Sequence, residues 1–126
     1  MKLMIVGSRS IKEFDLTPYV PENTELIISG GAVGADEIAE EYADRNKISK
    51  LIIRPRYDVY GRGAPLIRNK AMVDIADAVI VIWDGKSRGS SHVIDYAKEQ
   101  NKKLMLLRVD KTKRTSEGCA KLAEKS

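Results

Sequence analysis

The chain has 126 residues, enough for one domain with its own buried core, and its 43% apolar and 32% charged residues are ordinary for a soluble globular protein. Its apolar runs are too short for a membrane span and too few apolar residues follow Lys2 for a signal peptide, so a cytoplasmic location is expected. The lone Cys119 and lone His92 leave no intramolecular disulfide and no zinc-type ligand set. The net charge is +4, but from Arg108 to Ser126 six basic residues stand against three acidic ones, so most of the excess belongs to a solvated tail rather than to a duplex-binding face.

The first apolar run, Met4-Ile5-Val6, passes directly into Gly7-Ser8-Arg9. A hydroxyl and a guanidinium at a strand end suit a phosphate, because the planar donors of arginine engage two oxygens together. A capping serine beside a surface arginine is the alternative. From Ser10 to Thr24, Pro18 and Pro21 limit any helix to a turn or two, and a short or irregular element is expected.

Leu26-Ile27-Ile28 runs into Ser29-Gly30-Gly31-Ala32-Val33-Gly34-Ala35-Asp36. Paired glycines permit a sharp turn, and a helix opening there presents unpaired N–H groups, a receptacle for an anion. Ser29 stands where the dinucleotide fingerprint needs its first glycine, so that motif is absent. The loop also reads as a tight strand-to-helix turn whose Asp36 favours the positive helix end. Beyond it, Ala35, Ile38, Ala39, Tyr42 and Ala43 recur at helical spacing, one face of a helix packed on a sheet.

Leu51-Ile52-Ile53 is a third strand. The segment Tyr57 to Pro65 that follows is long, aromatic and glycine-bearing, and reads as a loop of the kind that serves as a lid. A helix starting near Pro65 is predicted to turn Ile67, Ala71 and Ile75 to the sheet, with Arg68 in its first turn able to reach a ligand. Val79-Ile80-Val81-Ile82 is a fourth strand, ending in Trp83-Asp84-Gly85-Lys86-Ser87-Arg88-Gly89-Ser90. There Asp84 either accepts from a ribose hydroxyl or caps the turn, and Trp83 either stacks on a base or packs at the rim. Gly85-Lys86-Ser87 is not a P-loop, since the upstream glycine would fall at Ile80. Ser90, Val93, Ile94 and Ala97 mark another helix, Lys103 to Leu107 a fifth strand, and Cys119 to Lys125 allow a terminal helical turn. The expected organisation is a domain over 1–109 followed by a polar basic tail or short helix over 110–126.

The alternation implies an α/β fold, a doubly wound sheet of about five mainly parallel strands with helices on both faces. Parallel strands share their carboxyl ends, so the polar exits of all the runs gather on one edge, where open α/β sheets bind ligands.

Gly7-Ser8-Arg9, Ser29-Gly30-Gly31-Ala32-x-Gly34-Ala35-Asp36, Tyr60-Gly61 with Arg68-Asn69, Ala76-Asp77, and Trp83-Asp84-Gly85-x-Ser87-x-Gly89-Ser90, in this order, resemble the small YspA-like proteins of the SLOG superfamily over residues 3–107. That superfamily includes the LOG phosphoribohydrolases and the DprA DNA-processing proteins. The resemblance implies a Rossmann-like fold and a nucleotide or nucleotide-derived ligand held by Gly7, Ser8, Arg9, Ser29, Gly30, Gly31, Gly34, Asp36, Arg68, Asn69, Trp83, Asp84, Gly85, Ser87, Gly89 and Ser90, in a sensor or ligand-binding module.

The alternative is a hydrolase acting on a nucleotide derivative. Arg68 then stands near the LOG arginine, but Val93 occupies the position of the LOG glutamate and cannot shuttle a proton. No catalytic residue is fixed, and Arg68 and Asp84 are the candidates, with Asp36 a second source of a carboxylate. Neither a metal nor a resident cofactor is expected. DprA-like binding of single-stranded nucleic acid is the least supported reading, since only 6% of residues are aromatic and such binding needs stacking platforms along a basic groove. Related folds often pair through helices, which is compatible with a homodimer.

Overall fold

A computed structural model describes residues 1–109 and 120–125. Its strands are β1 (Lys2–Gly7), β2 (Leu26–Ser29), β3 (Ser49–Ile52), β4 (Ala78–Trp83), β5 (Lys103–Val109) and β6 (Ala120–Lys125). The helices are α1 (Ala35–Arg45), α2 (Tyr57–Tyr60), α3 (Ala64–Ile75) and α4 (Arg88–Glu99), with a 3-10 turn at Gly61–Gly63. The strands form one sheet in the order β3-β2-β1-β4-β5-β6. The first five are parallel and β6 runs antiparallel to β5. The fold is the expected Rossmann-like α/β arrangement. No helix among the described residues is long and apolar enough to cross a membrane.

Strand period two sorts the core into two layers. Leu3, Ile5, Ile27, Ile80, Ile82 and Leu107 point to one face, where α1 covers them with Ala35, Ile38, Ala39, Tyr42 and Ala43. Ile11 and Leu16 from the irregular Ser10–Thr24 connection complete that layer. Met4, Val6, Ile28, Val79, Val81 and Leu104 point to the other face, against α3 and α4. The chain leaves β1 toward β2 on one side and returns to β4 on the other, so the strand order reverses between β1 and β4. That reversal is the point at which an open α/β sheet forms a crevice at its carboxyl edge.

Three expectations are corrected. The inward face of α3 is Ala64, Met72 and Val73, continued by Ala76, whereas Ile67 is 42% and Ile75 40% exposed and Ala71 is also exposed. The two stripes have equal period, and the one carrying small residues and Arg68 packs inward. The segment after β3 is not a loop, since α2 and the 3-10 turn occupy Tyr57–Gly63 and lead without a break into α3. Ala120–Lys125 forms β6 rather than a helical turn, because the outer edge of β5 offers unpaired backbone groups to an extended segment. Cys119 and the rest of 110–119 lie outside the described residues.

Candidate functional site

A cleft of about 450 Å³ opens at the β1–β4 reversal, lined from β1 by Val6 and Gly7 and from the following turn by Arg9 and Ser10. Ala32 and Asp36 line it at the start of α1, Pro65, Arg68 and Asn69 at the start of α3, and Asp84, Ser87, Gly89, Ser90 and Val93 around the start of α4. Of the sequence-predicted residues, Gly7, Arg9, Asp36, Arg68, Asn69, Asp84, Ser87, Gly89 and Ser90 are thus brought together. Val6, Ser10, Ala32, Pro65 and Val93 were not among them. Apolar residues in a cleft leave no chemical signal in a sequence, and Ser10 differs from any other turn serine only by its place.

Arg68 lies on the inward stripe of α3, in line with Ala64 and Met72. Its Nη1 donates to the Gly30 carbonyl at 2.6 Å and to the Ile53 carbonyl at 3.3 Å, and its Nε donates to Asn69 Oδ1 at 2.7 Å. The head is therefore held rigidly across the ends of β2 and β3. Its Nη2 has no protein acceptor among the described residues. Burial pushes the guanidinium below its ordinary value, with Asp36 acting in the opposite direction. Arg9 is close enough to add a second positive field at Arg68. The Arg9 guanidinium likewise has no carboxylate partner among the described residues.

Gly30 explains how Arg68 fits. A Cβ there would lie 2.5 Å from Arg68 Nη1 and 2.9 Å from Asp36 Oδ2, so this glycine clears room for two charged side chains. Asp36 is 5% exposed, and its Oδ2 accepts from the Ala32 N–H at 3.1 Å. Burial raises its carboxyl from 3.8 to about 6, outweighing the Ala32 N–H and the Arg68 charge.

The loop that opens α1 is less free as an anion receptacle than its glycines suggest. Asp36 takes the Ala32 N–H, Glu37 Oε1 takes the Gly34 N–H at 3.3 Å, and the Ser8 carbonyl takes the Ala35 N–H at 3.3 Å. Gly34, at φ 83°, sits against the backbone of Ser8 and Arg9, which joins the start of α1 to the β1 turn. Gly31 gives its N–H to Ser29 Oγ and its carbonyl to Arg54, and Ser29 Oγ donates to Glu40 at 3.0 Å. Ser29 and Ser8 are buried. Ser8 Oγ accepts from the Asp84 N–H at 3.0 Å, tying the β1 and β4 exits together. Ser8, Ser29, Gly30, Gly31, Gly34, Trp83 and Gly85 do not line the cleft.

The opening of α4 is the accessible helix end. Ser87 caps it, its Oγ accepting from the Ser90 N–H at 3.3 Å, while the Arg88 and Gly89 N–H groups have no acceptor among the described residues. Asp84 takes its turn-capping role: Oδ1 accepts from the Lys86 and Ser87 N–H groups at 2.8 and 3.0 Å, and Oδ2 from Ser10 Oγ at 2.9 Å. Burial alone would raise this carboxyl, but those donors together with Ser8 pull it down to about 2. Trp83 also braces the turn. Its Nε1 donates to the Ser87 carbonyl at 3.1 Å and the Arg108 guanidinium, which also lies against Gly85, covers the ring at 5.8 Å, so that face is not open to a base. Asp77 of the sequence motif lies at the opposite sheet edge, where it accepts from the Lys2 N–H at 2.8 Å.

The cleft thus combines two arginines, one fixed and one free, with an open helix N-terminus at the strand reversal. The sequence profile of DNA recombination-mediator protein A matches residues 58–126, more than half of the chain. The chain belongs to that family. The match begins within α2, after Tyr57, and continues through β6, and so includes Arg68, Asn69 and the whole α4 side of the cleft. Among curated proteins, none matches the chain. Val93 is 2% exposed and packs in the core between α4 and the sheet, and the carboxylates lining the cleft among the described residues are Asp36 and Asp84.

Proposed function

We propose that the cleft binds a nucleotide or a nucleotide-derived phosphate ligand, and that the protein acts as a sensor or ligand-binding module of the YspA-like kind. The observation that carries this reading is the convergence of Arg68 and Arg9, without bridging carboxylates, on the open α4 N-terminus. A phosphate placed there takes the Arg88 and Gly89 N–H groups and the positive end of the α4 dipole. Arg68 then contributes Nη2 from a head that its other bonds have already oriented, so little ordering entropy is lost on binding.

Binding is preferred to hydrolysis because the α4 side of the cleft offers Val93 and, among the described residues, no free carboxylate, and Asp36, although its carboxyl is raised to about 6, is 5% exposed on the α1 side. Asp84 is committed to the turn and Asp36 to the Ala32 N–H and the neighbourhood of Arg68. A second reading, that the bound phosphate belongs to single-stranded nucleic acid, is favoured by the membership in the DNA recombination-mediator protein A family.

A thermal-shift and calorimetric panel of nucleoside mono-, di- and triphosphates, ribose 5-phosphate and short single strands tests both. A true ligand at 100 times its Kd adds about 2.7 kcal/mol of stability. Arg68→Lys, which keeps the charge but loses the planar fork, should weaken that ligand. If no phosphate compound stabilises the protein, the reading fails. If only oligonucleotides bind, with affinity falling steeply with salt, the second reading replaces it.

A further inference from the structure

Next to the cleft, Tyr57, Val59 and Tyr60 of α2 are 56%, 57% and 50% exposed, and α2 contributes no buried residue. These three large side chains on one short turn are left outside the core, beside the helix that carries Pro65 and Arg68 into the cleft wall. The turn is nonetheless well formed. The Val59 and Tyr60 N–H groups donate to the Arg56 carbonyl at 3.0 and 2.9 Å, the Gly61 N–H donates to Tyr57, and the 3-10 turn delivers the chain directly to Pro65 and Arg68 in the cleft wall.

Tyr57 and Tyr60 are three residues apart and so share one side of the turn. Tyr57 is close enough to Arg68 for its hydroxyl to act electrostatically on the guanidinium. The nearest charges on α2 are already matched, since Arg56 Nε and Nη2 donate to the Asp58 carboxylate at 3.2 and 3.1 Å.

We infer that Tyr57 and Tyr60 form a stacking platform for a nucleobase, so that the site selects nucleoside phosphates over other phosphate compounds. This rests on the proposed phosphate site. The phosphate lies on α4 and Arg68, the sugar spans the mouth of the cleft, and the base lies on the phenol rings of α2. A planar base suits these residues because stacking on an aromatic ring needs no hydrogen-bond readout. Trp83, another aromatic near the cleft, has one ring face covered by Arg108 and its Nε1 held by the Ser87 carbonyl, so it is built into the β4 exit.

Calorimetry with a nucleoside monophosphate, ribose 5-phosphate and a short oligothymidylate tests the inference on the wild type and on Tyr57→Ala/Tyr60→Ala. Neither side chain supports the core, so the double variant retains the fold. The nucleotide is expected to bind about 5- to 150-fold more tightly than ribose 5-phosphate, the range set by one stacked base, and the double variant to close that gap. An oligothymidylate advantage that grows with length, also lost in the variant, supports the platform and identifies a single strand as the source of the base. Equal affinity for nucleotide and ribose 5-phosphate, or a gap that survives in the variant, overturns the platform while leaving the phosphate site standing. If no compound binds, both fall.

Discussion

Asp36 offers a direct physical test of the cleft's electrostatics. Its carboxyl is 5% exposed, and burial lifts it from 3.8 to about 6 against the pull of the Ala32 N–H and Arg68. A group raised in the folded state favours folding when protonated, so its contribution is complete below about pH 4 and is lost as pH rises through about 6. A displacement from 3.8 to about 6 is worth about 3 kcal/mol at most, of which about 1.4 kcal/mol is lost between pH 5 and pH 7.5. Asp36→Asn removes the titration and keeps the shape. Urea unfolding of both proteins at the two pH values isolates this one group, because every other titration is common to them. The wild type should lose about 1.4 kcal/mol relative to the variant over that interval. Parallel stability curves would refute the assignment of a raised carboxyl to this position.

The other perturbations bear on the site's parts separately. Arg9→Ala, an exposed residue without an ion-pair partner among the described residues, should weaken phosphate binding about tenfold by calorimetry while leaving the melting temperature within a degree or so of wild type. Gly30→Ala places a methyl group 2.5 Å from Arg68 Nη1 and should cost about 1–3 kcal/mol in urea unfolding, with loss of ligand binding as Arg68 is displaced. Asp84→Ala frees the Lys86 and Ser87 N–H groups and should cost about 2 kcal/mol near neutral pH. Because the Asp84 carboxyl is lowered to about 2, its contribution holds above about pH 4 and fades as pH falls through 2, so wild type and variant should converge in acid.

The faces of α1 and α4 were legible because their buried residues, Ala35 to Ala43 and Ser90 to Ala97, follow one unambiguous apolar stripe. The α3 stripe was not, because Ile67, Ala71 and Ile75 repeat as regularly as Ala64, Arg68 and Met72. What decides between them is a tertiary interaction, the capture of Arg68 by carbonyls from β2 and β3. The convergence of the strand exits on one cleft also followed from the parallel pattern. The division of labour within it did not. Whether a loop N–H is free depends on where neighbouring carboxylates come to rest: Asp36 and Glu37 take the Ala32 and Gly34 N–H groups ahead of α1, while the Arg88 and Gly89 N–H groups of α4 stay open. Likewise, the glycines Gly30 and Gly34 look like ligand glycines in sequence, yet what crowds them is Arg68, Asp36 and the Ser8–Arg9 backbone. Residues Tyr57–Gly63 carry glycine and aromatic residues that suit a loop, and their helical form rests on local backbone bonds to Arg56 and Tyr57 that leave no apolar stripe in the sequence.

The central claim, a phosphate seated on α4 between Arg9 and Arg68, is tested most directly by following backbone amide resonances as a nucleoside monophosphate is added. The account predicts that the Arg88 and Gly89 amides shift most, with Gly7, Arg9 and Ser10 following and the Lys2–Asp77 edge unmoved. Saturating ligand that leaves Arg88 and Gly89 in place, or that moves the Asp77 edge instead, would contradict it.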